Sequence, residues 1–161
     1  MIGRFLGRAI GSGLAAGAAG TTALNAATYL DMAVRGRGTS EMPEKAVEEL
    51  TRRAGQEIPG SGGERDNRVQ GIGALSGIAT GVGVGVVAGF LGPVLRRLPS
   101  VLSAVALGGF AMAATDASMA RLGLTDPKSW SAEDWLSDAL PHLAYGAAAT
   151  YTLRAAARTG D

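Results

Sequence analysis

Across 161 residues the chain carries 15 Lys and Arg against 14 Asp and Glu, one histidine and no cysteine. This excludes disulfides, thiolate metal centres, cysteine nucleophiles and a multi-histidine metal site within one chain, and near-neutral charge gives nucleic acid no general footprint. Of the residues 47% are hydrophobic but only 5% aromatic, 25 are glycine, and the apolar ones gather into blocks divided by charged stretches, a distribution that suits a membrane protein.

The first block covers residues 9–34. Its lead-in, "MIGRFLGRAIGSGLAAGAAGTTA", shares arginines and a small-residue run with signal peptides, and its lack of acids with mitochondrial presequences. It continues through "LNAATYLDMAV", too long for a signal h-region, so a retained span is expected. Gly3, Gly7 and Gly11 form one small stripe; Gly13, Gly17 and Gly20 form another, with Asp31 on the same face. Thr21, Asn25 and Thr28 lie beside it.

A polar connector over residues 36–68 follows. Within it "TSEMPEKAVEELTRRAG" predicts a short amphipathic surface helix, capped by Ser40, with Pro43 in the first turn and Gly55 as its stop. Glu41 and Glu44 lead and Arg52 and Arg53 trail, as the helix dipole favours. Met42, Ala46, Leu50 and Ala54 share one face. "IPGSGGERDN" reads as a flexible polar link.

The second block, residues 69–95, contains "GIGALSGIATGVGVGVVAGF", in which Gly73, Gly77, Gly81, Gly85 and Gly89 recur at every fourth position. In water each glycine would cost a helix about 1 kcal/mol against alanine. In hydrocarbon the backbone stays helical because its polar groups have no other partner, and helix association depends on close contact rather than on excluding water. The stripe therefore predicts a helix-packing surface with a right-handed crossing, within the chain or between copies. The long helical pattern on both sides disfavours a strand over "GVGVGVV".

"RRLP" tightly joins this block to the third, residues 98–122, predicting an antiparallel hairpin. Gly108 and Gly109 lie mid-block, and Asp116 falls on the Gly109 face. The fourth block, residues 136–153, is interrupted at its start by Asp138, Pro141 and His142 and ended by Arg154. It is expected to span under the shelter of the others, with Arg154 and Arg158 snorkelling. Ser131 and Asp134 form a candidate capping box. Blocks one and three are both followed by Arg, Gly, Thr, Pro and an acidic helix start, suggesting a duplicated helix–surface helix–helix unit.

Ionisable residues inside spans are functional candidates by default. Asn25, Asp31, Asp116 and His142 could line a route for protons or a small cation. The opposing reading makes Asp31 an i,i+4 ion pair with Arg35, and Asn25 and the threonines interhelical hydrogen-bond glue. No nucleophile elbow or phosphate-binding loop is present, so neither enzymatic activity nor a cofactor is expected.

The stretch "AGTTALNAATYLDMAVRGRGTSEMPEKAVEEL", residues 19–50, resembles a group of small Gly/Ala-rich actinobacterial membrane proteins with similar "TTALN…TYLDM…RGR…PE" signatures and no assigned activity. The resemblance implies a bacterial plasma membrane. The expectation is thus an all-α integral membrane bundle of four transmembrane helices, one domain over residues 1–161, with a surface helix after the first span. Four spans place both termini and "RRLP" on one side, taken as cytoplasmic from the arginines at the span ends, and Trp130 and Trp135 in an interfacial belt on the other. The expected role is non-enzymatic: a helix-packing homo-oligomer or accessory subunit, partnered by the lipid bilayer and by other membrane subunits or copies, with Glu44, Glu48 and Arg52 meeting a partner outside lipid. The alternative is a small channel or transporter for protons or cations.

Overall fold

Helix is the only regular structure among residues 2–158, which the computed structural model describes. The helices are α1 (Ile2–Arg35), α2 (Met42–Arg53), α3 (Gly62–Phe90), the single turn α4 (Gly92–Leu95), α5 (Ser100–Leu122) and α6 (Ala132–Arg158), with a 3-10 turn at Pro127–Ser129. Two of them, α3 and α5, are long and apolar enough to cross a membrane. α1 and α6 are of similar length, but glycine, alanine, threonine and charged side chains dilute their apolarity, so length and composition do not single them out.

The long helices are antiparallel neighbours in the order α3, α1, α6, α5, an open ring that is barely closed between α3 and α5. α1 packs extensively on α3 and α6, and α5 on α6, whereas α3 and α5 share little surface. The "RRLP" connection therefore does not join a closely packed hairpin: helices from the two ends of the chain lie between its arms. The connection also begins earlier than expected, at Leu91, where α4 with Pro93 turns the chain.

Burial is inverted relative to a water-soluble bundle. Small residues make up much of the interior: glycines such as Gly13, Gly17, Gly85 and Gly108 are buried, and alanines such as Ala16, Ala88, Ala111 and Ala149 form half of the buried apolar side chains, beside larger ones such as Val84, Leu107, Tyr145 and Leu153. Leucines, valines and phenylalanines such as Leu75, Leu102, Val105 and Phe110 point outward. Only 22% of the most apolar window of α3, and the same share of that of α5, is buried. Water would penalise such an exterior; hydrocarbon does not.

Two boundaries differ from the sequence reading. Residues 62–67, expected in the flexible link, form the start of α3, held by a Glu64–Arg68 ion pair at 2.6 Å across one turn. α6 runs unbroken through Pro141. Its start is locked by the capping box: the Asp134 backbone N–H donates to Ser131 Oγ at 3.1 Å, and the Ser131 N–H donates to Asp134 Oδ2 at 2.9 Å. The hydroxyl and amide of Ser131 hold the Asp134 carboxyl below its usual range. At α5's other end Gly123, at φ 77°, supplies the left-handed cap that L side chains resist.

The second half does not repeat a surface helix. Where the first half has twelve-residue α2, the second has only the three-residue 3-10 turn, stiffened by Trp130 Nε1–H donating to Thr125 Oγ1 at 2.9 Å and by a T-shaped Trp130–Trp135 pair.

Candidate functional site

Two features concentrate the sequence-predicted residues: a small-residue seam between α1, α3 and α6, and a polar cluster between α5 and α6. In the seam, α1 and α3 approach until no side chain fits between them. A Cβ on Gly13 would lie 2.7 Å from the Gly85 carbonyl oxygen, one on Gly17 2.7 Å from Val82 Cα, and one on Gly89 2.9 Å from Gly13 Cα. Gly85 faces the Gly17 backbone, and Gly81 sits under the Thr21 hydroxyl.

The stripe is not one surface, however. Gly73 meets Pro43 of α2 instead, and Gly77 faces open space. A stride of four residues drifts around a helix of 3.6 residues per turn, so one straight partner cannot follow it from end to end. A second close crossing joins α5 to α6, where Cβ atoms on Gly108 and Gly146 would lie 2.6 Å from the His142 oxygen and the Gly108 nitrogen respectively.

Gly20 opens the space that Tyr145 of α6 fills: a Cβ there would lie 2.6 Å from the tyrosine ring. Tyr145 is only 1% exposed, and its hydroxyl donates to the Gly81 carbonyl at 2.6 Å, crossing the ring of helices to α3. One side chain thus ties three helices together. At the opposite end of α6, Arg154 donates to the Leu98 carbonyl at 2.6 Å and the Leu95 carbonyl at 3.2 Å. Buried Ser103 donates to the same Leu95 oxygen at 2.8 Å. Arg154 therefore caps the turn between α4 and α5 rather than extending into solvent.

Of the four polar residues singled out from sequence, Asp116 and His142 come together, and Asn25 and Asp31 lie elsewhere. Asp31 lies at the C-terminal end of α1, where Arg35 donates to it at 2.6 Å, Arg37 at 2.5 Å, and Arg35 also pairs with Glu133 at 2.7 Å. Asn25 is half-buried on α1. Asp116 instead faces the Asp138 carboxyl and the His142 ring. His142 is buried, its Nδ1 2.8 Å from the Asp138 carbonyl oxygen and 3.3 Å from Oδ1. Asp138 Oδ2 is buried without a donor.

Asp138, read from sequence only as an interruption, is therefore the centre of the cluster; its i,i+4 spacing to His142 was the available signal. Among the described residues no group of three His, Asp or Glu side chains is arranged to hold a metal ion. An apolar layer separates the cluster from the opposite ends of α5 and α6. Leu107, Ala111, Tyr145 and Ala149 pack between it and the Ser103–Arg154 end.

On α2 the buried residues are Ala46 and Val47; Leu50, expected on the same face, is exposed. Glu41, not Ser40, is the capping residue, although Ser40 Oγ accepts from the Met42 N–H at 3.2 Å. Two of the side chains expected to meet a partner are engaged within the chain: Glu48 pairs with Arg65 at 2.8 Å, and Arg52 with Glu49 at 2.6 Å. Glu44 Oε2 is buried without a partner. Hydrogen bonds from Arg52 and Arg53 hold the Glu49 carboxyl at about 2, well below its ordinary value.

Comparison with protein-family models, curated proteins and solved structures returned no match to this chain.

Proposed function

We propose that this chain is a non-enzymatic membrane packing protein of the bacterial plasma membrane. On this reading α1, α3, α5 and α6 all span, the termini are cytoplasmic, and the bundle serves as an accessory subunit or small homo-oligomer. The observation that carries the reading is the inverted burial: close-packed glycine and alanine within, large apolar side chains without. α1 and α6 then span because α3 and α5 cover part of their small and polar faces. Partner contact falls to surface that the internal seams leave unused. Gly77 on α3 and Gly109 on α5 both face open space among outward leucine, isoleucine and phenylalanine.

Purification in mild detergent, with mass determination of the particle, tests it. A multimer or a retained partner that Gly77→Leu or Gly109→Leu disperses supports the reading. A strictly monomeric particle with no companion overturns it.

A second reading, proton passage, draws on the Asp116–Asp138–His142 cluster, since two carboxyls and an imidazole can share a proton. The apolar layer at Leu107 and Ala149 opposes it. Vesicles whose proton leak is unchanged by Asp116→Asn would eliminate it.

A further inference from the structure

A groove of about 920 Å³ runs along α1 between the end of α3 and the end of α6. It spans Arg4 to Ala15, about 16 Å of helix at 1.5 Å per residue. Its volume is at the upper end of the range for small-molecule sites. The groove exists because its walls are small: Ala9, Gly11, Ala15, Ala156 and Ala157 leave unfilled the space that leucines would occupy.

Its polarity is graded. Arg4, Arg8 and Arg96 line it at the end of the bundle where the start of α1, the end of α6 and the α4 turn meet, and among the described residues no acidic side chain lines it. The Arg96 guanidinium lies over Gly92, 3.1 Å from where a Cβ would be, so the absence of a side chain there lets the cation fold back into the groove. Deeper, toward Ala15 and Gly89, the walls carry no charge.

A cationic mouth at the level of the headgroups and an uncharged trough running into the hydrocarbon match one ligand chemistry, a phosphodiester attached to an acyl chain. We propose that the groove seats an anionic phospholipid, its phosphate between Arg4 and Arg96 and one chain laid along Gly11 and Ala15. Guanidinium binds phosphate oxygens bidentately, and basic pockets between membrane helices favour anionic headgroups. The neutral trough adds contact that a free phosphate ion cannot use.

This rests on the membrane reading, and the two fail separately. Protein that never partitions into membranes refutes that reading. Protein that partitions but shows no lipid preference refutes only this site. The experiment is native mass spectrometry of the full chain released from nanodiscs of phosphatidylglycerol mixed equally with phosphatidylcholine.

Wild-type protein is expected to retain phosphatidylglycerol roughly tenfold over phosphatidylcholine. Arg4→Gln with Arg96→Gln removes the preference; Arg97→Gln, outside the groove, keeps it. Gly11→Leu, whose Cβ would meet nothing within 4 Å beyond its own stretch of helix, projects into the trough and lowers retention of both lipids. Equal retention by wild type, equal loss in the Arg97→Gln control, an unaltered Gly11→Leu variant, or displacement of the lipid by millimolar glycerophosphate would each overturn the site. Circular dichroism of every variant confirms that it folds as wild type does.

Discussion

At the scale of single residues, an absent side chain decides more than a present one. Gly85 and Gly77 belong to one sequence stripe, yet Gly85 faces the Gly13 and Gly17 backbone and Gly77 faces nothing. Gly85→Ala should therefore destabilise the bundle by about 1–3 kcal/mol through overpacking, whereas Gly77→Ala should change it by less than about 0.5 kcal/mol. Reversible SDS unfolding followed by circular dichroism reads both, and equal losses would contradict the seam. Tyr145→Phe keeps the ring over Gly20 but removes the hydrogen bond to Gly81. Its expected cost in the same assay is about 0.6 kcal/mol, with about 1.7 as the ceiling for bonds between membrane helices. The glycine spacing was legible because period alone reveals a common face. That the face is divided among α1, α2 and open space was not, because it depends on where neighbouring helices begin and end. Tyr145 carried no periodic signal, and its cavity is made by Gly20, 125 positions earlier.

At the scale of elements, local rules succeed where the contacts are local. The Ser131–Asp134 box, the Asp31–Arg35 pair and the α2 helix all follow from residues within one or two turns. The start of α3 followed the same logic through Glu64 and Arg68, but the surrounding glycines obscured it. The orientation of α2 was not local. Pro43 packs on Gly73 and Arg53 reaches the Leu122 carbonyl at 3.1 Å, and these distant contacts turn Leu50 outward.

The end of α2 should also respond to acid. Glu49 titrates near 2 when folded and at an ordinary 4.5 when not, so its pairing with Arg52 and Arg53 stabilises the folded form above about pH 4.5 and is lost as pH falls towards 2. Amide protection factors across residues 46–53 should fall over that window, and Glu49→Gln should flatten the decline. A decline unchanged in Glu49→Gln would place the responsible carboxylate elsewhere.

For the whole molecule, the ring order follows from apolarity. The two helices most compatible with lipid, α3 and α5, each have one extensive long-helix neighbour, and the two diluted by small and polar residues, α1 and α6, each have two. Sequence blocks revealed which segments are apolar but not which would be sheltered, since shelter depends on pairings such as Gly20 with Tyr145 across most of the chain. If hydrocarbon surrounds this ring, the chain should stay in the pellet after membranes are washed with alkaline carbonate and leave it only with detergent. Release by carbonate alone would assign the exposed leucines and phenylalanines to some other covering.

Placing α6 between α1 and α5 has a consequence for biosynthesis. It leaves the ribosome after α1 to α5, yet it is the main contact of α5 and supplies both the tyrosine that bridges to α3 and the arginine that seals the α4 turn. Until it emerges, a nascent chain holds α5 with its Gly108 face bare. A premature stop before α6 should therefore leave an open assembly for quality-control proteases, rather than a slightly shortened native one.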